Sequence, residues 1–321
     1  MNTMRAIVIE ATGGPEVLRL ADVDRPTRVN AEFLVKVVAA SVNPIDAKSR
    51  AGKGAAGAFG EFPIILGGDF SGTVIESSYE AHPLKPGDEV YGMTMVPRFG
   101  GTYAEYITIP ATCIAKKPRA LSHVEAAGVP LAALTAWGAV VDVAKAHEGQ
   151  RILIHAGAGG VGHFAVQFAA YFGAHVIATG STRNLGWLRE LGASEVIDYS
   201  TTRFEDEVAE VDVVIDLVGN VKDDTGTRSL AVLKPGGLIV NVPSGSWPSL
   251  IEDAVAAGVR ATTYKTPADG STLAVISRLL ESGDVRVFVD QVFELGDAAR
   301  AHEALETGHT RGKIVLKVSD G

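Results

Sequence analysis

The stretch RILIHAGAGGVGHFAVQFAAYFG, residues 151–173, constrains this chain more than any other. Arg151 to Ala156 is a short, mostly apolar run that stops abruptly at glycine. Gly157, Gly159 and Gly162 then fall in the spacing G-x-G-x-x-G, with Gly160 and Val161 completing the turn. Beyond them Val161, Phe164, Ala165, Phe168 and Ala169 recur at steps of three and four, the period of a helix. Strand, tight turn and helix form the context in which this spacing signals dinucleotide binding. Gly157 permits the sharp turn, Gly159 lets a pyrophosphate approach the backbone, and Gly162 lets the helix pack close to its strand. The free N–H groups and the positive end of the helix dipole then face the phosphates.

From residue 151 to about 242, strand-like and helix-like segments alternate. The strands are RILIHA, AHVIATG, EVID, DVVIDLVG and LIVNVPS; the helices lie at 160–173, about 184–191 and about 224–233. Alternation of this kind implies a parallel, doubly wound sheet. The first 120 residues read differently, as short strands separated by glycine turns, at 4–10, 17–23, 33–42, 64–76, 85–93 and 100–110. That pattern suggests a β-rich, partly closed barrel. Residues 122–146 form one helical stretch, opened by Ser122 with Glu125 three residues on. Residues 254–263 add a last strand to the parallel sheet. An amphipathic helix follows at 272–283, and strands return at 287–295 and 313–318.

A chain of 321 residues with 46% hydrophobic and 21% charged residues has enough length to bury a large core. Its formal charge of −9, without a Lys/Arg block, argues against nucleic acid and anionic membrane surfaces. No apolar run reaches bilayer length, and the N-terminus has no secretory pattern, so a cytoplasmic location is expected. The single cysteine, Cys113, excludes an intramolecular disulfide and a cysteine-based zinc cluster, and reads as a buried structural thiol.

Several segments together resemble one family. SVNPIDAKSRAG (41–52), GGDFSGTV (67–74), KPGDEVYG (85–92), GGTYAEY (100–106), AALTAWGAV (132–140), HAGAGGVGHFAVQFA (155–169), LVG (217–219) and RGKIVLKV (311–318) stand in the family's order along nearly the whole chain. The chain is similar to the zinc-independent quinone oxidoreductases of the medium-chain dehydrogenase/reductase superfamily. The resemblance implies an α/β protein with two domains. A GroES-like β-rich substrate domain comprises 1–121 and 266–321, and a Rossmann domain with a doubly wound parallel sheet is inserted at 122–265, with the active site in the cleft. It also implies a homodimer. Zinc members carry Cys near residue 43 and His near residue 68. Asn43 and Gly68 stand here, so no metal is expected. Family members often have a tyrosine just after the Asn-x-x-Asp element, whereas this chain has Ala47, Lys48 and Ser49.

The second strand of the parallel sheet runs from His175 to Thr179 and into Gly180, Ser181, Thr182 and Arg183. No acid stands there to accept from a ribose 2′-OH. A hydroxyl and a guanidinium suit a 2′-phosphate instead. The resemblance adds Tyr199 after the third strand, so NADP(H) is the expected cofactor. By the same resemblance Asn43 lies beside the nicotinamide ribose and Thr135 faces the carboxamide. Val218, Gly219 and Pro243 fall at later strand ends, where ligands sit in such folds.

Without a metal to activate a hydroxyl, an electrophile that accepts hydride directly is the expected small-molecule substrate: a quinone or an α,β-unsaturated carbonyl. Asp46 and Lys48 are candidate acid/base groups, with a local ion pair between them as the alternative, and Asn43 is a candidate catalytic residue through its place beside the nicotinamide ribose. Tyr103 and Tyr106 read as core, His155 as structural, and the Gly/Ala-rich loop 51–62 as a candidate lid. Two other readings are an enoyl-thioester reductase and an NADPH-binding sensor with weak turnover.

Overall fold

A computed structural model describes residues 3–95, 101–221 and 223–320. They divide into two compact units: residues 1–134 with 267–321, and residues 135–266. The β-rich unit and the inserted parallel sheet implied by the resemblance are both present. Residues 122–134, expected at the start of the dinucleotide-binding domain, pack with the first unit. His123 Nδ1 lies 2.8 Å from Ser71 Oγ, and Leu131 N donates to Asp69 at 3.1 Å.

The first unit is built on the strand Glu32–Val42. Its neighbour on one side is Asp69–Glu76. Its other edge is shared by Tyr106–Pro110 against residues 32–36 and Lys313–Lys317 against residues 39–42. Glu89–Met93 and Ile114–Lys116 extend the sheet one way, and Val289–Glu294 extends it the other. Phe33, Val35, Val37, Phe70, Val90, Ile107 and Leu316 fill the core. A small sheet of Arg19–Asp24, Thr3–Ile9 and Ile64–Ile65 completes the unit. The strand expected over 100–110 begins only at Tyr106; Gly100 lies outside the described residues, and Gly101 takes a positive φ of 71°.

The second unit is a six-stranded parallel sheet. In space its order is Glu195–Asp198, His175–Gly180, Arg151–Ile154, Val211–Asp216, Leu233–Asn241 and Arg260–Thr263. These strands read as apolar runs because helices cover both faces of such sheets. The order reverses beside Arg151–Ile154, and ligands bind at such reversals, outside the carboxyl ends of the strands.

Two helix boundaries differ from the sequence reading. The helix expected over 122–146 is interrupted: His123–Ala127 ends before Gly128, a new helix runs Pro130–Trp137, and the chain widens into a π-turn over Gly138–Val143. Pro130 has no N–H to continue the first helix, but fits the first turn of the second. Residues 254–263 hold the end of the helix Leu250–Ala256 before the strand Arg260–Thr263. No helix among the described residues is long and apolar enough to cross a membrane.

Candidate active site

The glycine loop leads from Ile154 into the helix Gly162–Tyr171. Its left-handed residue is Ala156, with φ 50°, so the turn does not depend on a positive φ at Gly157 as the motif suggests. Space favours glycine at 157: a Cβ there would lie a tight 3.0 Å from Leu188 and 3.1 Å from Ala178. Gly162 is tighter still, its Cβ falling 2.1 Å from the Ala156 carbonyl oxygen. Gly157 N bonds Thr179 O on the neighbouring strand, and Gly159 N bonds Ala156 O within the turn. In the helix's first turn His163 N bonds Gly159 O at 3.0 Å, and the helix still turns the positive end of its dipole toward the loop. This narrow, side-chain-free cradle fits the pyrophosphate of a dinucleotide.

The 2′-phosphate candidates converge at neighbouring strand ends. Gly180 pairs with Asp198, and Tyr199 N donates to Gly180 O at 3.2 Å. Ser181 directly precedes the short 3-10 turn Thr182–Asn184 that carries Arg183, and Tyr199 is exposed. Asp198, an acid the sequence reading passed over, stands at the same edge. Its carboxylate is held by the Thr182 hydroxyl and by Ser200 N and Oγ, which keep its pKa low.

At the carboxyl ends of the fourth and fifth strands, Val218 N and Gly219 N donate to Asp216 Oδ1 at 2.9 and 2.7 Å. Asp216 Oδ2 accepts from Asn241 Nδ2 at 2.8 Å, and Ser246 Oγ reaches Asn241 Oδ1 and the Pro243 carbonyl. Buried Asp216 and Asn241 thus fix the loops of Val218, Gly219 and Pro243. Thr135 is buried, with Oγ1 2.6 Å from Thr266 Oγ1. His155 is also buried, between Thr179 Oγ1 and Ser229 Oγ; burial pushes it down to about 4. It is a neutral structural imidazole. Cys113 is likewise buried, its thiol pushed up by burial.

The first unit gathers a second group of polar residues, set by strand register. Ser41 pairs with Asp69, and Val42 with Ile314, which brings Asn43 beside Lys313. Asn43 links the two charges: Oδ1 accepts from Lys313 Nζ at 2.5 Å, and Nδ2 donates to Asp69 at 2.9 Å. Asp69 also accepts from Ser41 Oγ and Leu131 N. Both polar ends of Asn43 are therefore engaged inside this unit.

Asn43 also caps the helix Pro44–Arg50, and Asp46 closes the capping box by accepting Asn43 N at 2.9 Å on Oδ2. Tyr103 OH donates to the same oxygen at 3.2 Å. Asp46 faces inward, whereas Lys48 is only part-buried. Asp46 Oδ1 is buried with no hydrogen-bond partner. A Cβ placed on Gly68 would lie 4.0 Å from that oxygen. Burial, reinforced by the nearby Asp69 charge, raises Asp46 to about 7. Burial also moves Asp69 up and Lys313 down. Two carboxyls and one ammonium leave an excess negative charge, which a proton neutralises. Asp69, with three donors on it, is the better anion, so the proton belongs on Asp46.

Tyr106 is part-buried with its ring under the Arg25 guanidinium; Tyr103 is a core residue as expected, fully buried, and its hydroxyl also enters this polar group. Asp69, Lys313, His302 and Arg50 were missed by the sequence reading. A lysine directly before the apolar run IVL was the one local signal.

Comparisons with known proteins agree with this architecture. A family model described as alcohol dehydrogenase GroES-like domain matches residues 30–119, and one described as zinc-binding dehydrogenase matches 191–316. The quinone oxidoreductase structure from Coxiella burnetii is 40% identical, covers 99% of this chain and 100% of its own, and superposes with a TM-score of 0.93. The 2-methylene-furan-3-one reductase of Solanum lycopersicum is 36% identical over 95% of this chain and 76% of its own length. The NADPH-dependent alkenal/one oxidoreductase, chloroplastic, of Arabidopsis thaliana is 34% identical over 98% and 79%. The chain belongs to the zinc-independent quinone oxidoreductase family of medium-chain dehydrogenases/reductases. Zinc does not fit the residues this family member presents. Asn43 and Gly68 offer neither thiolate nor imidazole, and a buried ammonium stands among the carboxyls.

Proposed function

We infer that the chain is an NADPH-dependent oxidoreductase that transfers a hydride, without a metal, to a quinone or to the β-carbon of an α,β-unsaturated carbonyl. The observation that carries the cofactor half is the end of the second parallel strand, where Ser181, Arg183 and Tyr199 gather, the strand itself ends without an acid, and the neighbouring Asp198 is engaged by Thr182 and Ser200. Bound, NADPH supplies the hydride. Gly157, Gly159, Gly160, Val161 and Gly162 hold the pyrophosphate, Ser181, Arg183 and Tyr199 the 2′-phosphate, and Thr135, Val218, Gly219 and Pro243 line the nicotinamide side. Asn43 serves by holding Lys313 and Asp69 in place.

Hydride addition leaves negative charge on the acceptor oxygen, and a proton must follow. Asp46 holds that proton: it is buried beside an ammonium and a second carboxylate, and its uncommitted oxygen faces the side-chain-free Gly68. A carboxyl titrating near 7 is suited to giving a proton at neutral pH. A cytoplasmic location, supported by a lone buried cysteine, and a homodimer, supported by family resemblance, complete the reading.

The test is NADPH oxidation with a simple quinone and, separately, a simple cyclic enone, with NADH as control. Turnover of either acceptor, faster with NADPH, is the expected result. Tight NADPH binding with no turnover of either would replace this reading with that of a sensor.

A further inference from the structure

We propose that His302 and Tyr103 are positioning residues that lock the acidic proton of Asp46 onto Oδ1, the oxygen facing Gly68. The inference rests on the reading of Asp46 as proton donor and says how that donor is aimed.

The argument is one of hydrogen-bond direction. The helix Ala298–Glu306 carries His302 and Glu306 one turn apart, so both face Arg50. Arg50 is buried, with Nη2 2.6 Å from Glu306 and Nε donating to Gly13 O. A guanidinium only donates. Its Nη1 lies 3.3 Å from His302 Nδ1, so that nitrogen accepts. The hydrogen of the neutral imidazole is then on Nε2, and burial with the Arg50 charge keeps the ring neutral, pushed down to about 3.

Nε2 lies 3.2 Å from Tyr103 OH and donates to it. The Tyr103 oxygen has accepted, so its own hydrogen goes to Asp46 Oδ2. Asn43 N donates to that oxygen too. Each bond from Arg50 onward points the same way, and Oδ2 ends with two donors. A proton bound by Asp46 must therefore reside on Oδ1, which no protein group engages. Since Arg50 does not release a proton, the line is not a conduit; it sets an orientation. The other charges facing Asp46 are Asp69 and Lys313, from two strands of the sheet. Neither bonds it directly, so neither chooses between its oxygens.

The test is infrared difference spectroscopy of the protonated Asp46 carboxyl across pH, each protein subtracted against its own Asp46→Asn counterpart. If the proton is on Oδ1, the C=O group is Oδ2 and its stretch senses the Tyr103 bond. Tyr103→Phe, which keeps the ring, should move the band to higher frequency and raise the titration midpoint by about one pH unit, the effect of losing one donor to a carboxylate. His302→Leu should shift both in the same direction by less, and His302→Gln, which can both accept from Arg50 and donate to Tyr103, should restore them. A band already at the frequency of an unbonded carbonyl, unmoved by Tyr103→Phe, overturns the proposal; so does an unmoved midpoint. If the band behaves as expected but the pH limb of turnover survives in Asp46→Asn, the proton-donor reading fails while the lock stands.

Discussion

Arg183 stands on the turn after the second parallel strand, beside the Asp198–Tyr199 end of the third. A hydrogen bond to a charged group contributes about 1.5–3 kcal/mol. Arg183→Ala should therefore weaken NADPH binding roughly 10–150-fold and leave NADH nearly unchanged, read by titrating each cofactor. Equal loss for both would remove Arg183 from the phosphate site. At this scale the sequence was legible where chemistry is local. The missing acid after Thr179, the serine and the arginine are neighbours in the chain. The roles of the Tyr103 hydroxyl and His302 were illegible because they lie in a hydrogen bond across 199 positions. Asp216 read as one more strand residue until Asn241, 25 positions away, turned its amide toward it.

Among the elements, the strand–turn–helix at 151–171 was the most readable, since spacing and period sit within twenty residues. Its detail was not: the left-handed residue is Ala156, and the glycines are there for room. Gly162→Ala would set a methyl group 2.1 Å from the Ala156 carbonyl oxygen. The helix must move off its strand, at a cost of about 1–3 kcal/mol as for other overpacked sites. A lower thermal midpoint together with weaker NADPH binding is expected. Unchanged values of both would mean that the turn yields without cost. The break at Gly128–Pro130 could be read from the proline, but helical period on both sides masked it. Residues 254–263 show the converse, where a helix end, a turn and a strand share one apolar composition.

At the scale of the whole molecule, several buried groups couple stability to pH, among them Asp46, His302 and His155. Burial raises Asp46 from the ordinary aspartate value of 3.8 to about 7 in the folded state, which therefore keeps a proton the unfolded chain has released. That contribution is fully present below the unfolded value and is lost as pH rises through 7. His302 and His155 fall from 6.5 to about 3 and about 4, so each stays neutral while the unfolded chain gains a proton. Their contributions are lost as pH falls below 6.5. Between pH of about 4.5 and 6 the unfolded chain takes up two protons against one held in the folded state. Stability from these groups then rises by about 1.4 kcal/mol per pH unit. Asp46→Asn removes one opposing group and should steepen the slope by about 1.4 kcal/mol per pH unit; equal slopes in thermal unfolding would refute the assignment. The two-unit plan was legible from the change of pattern near residue 120 and the return of strands after 287, whereas residues 122–134 declared their unit only through contacts with Ser71 and Asp69. That split has a consequence for synthesis. The unit holding Asp46 and Asp69 begins the chain, yet Lys313 reaches the ribosome's exit only after all of residues 135–266 have been made. At roughly 5–20 residues per second the interval is on the order of ten seconds or more. During it the inserted sheet is free to fold on its own, while its host waits with two carboxyls and without the Lys313 ammonium, and with the long strand Glu32–Val42 open along half of one edge.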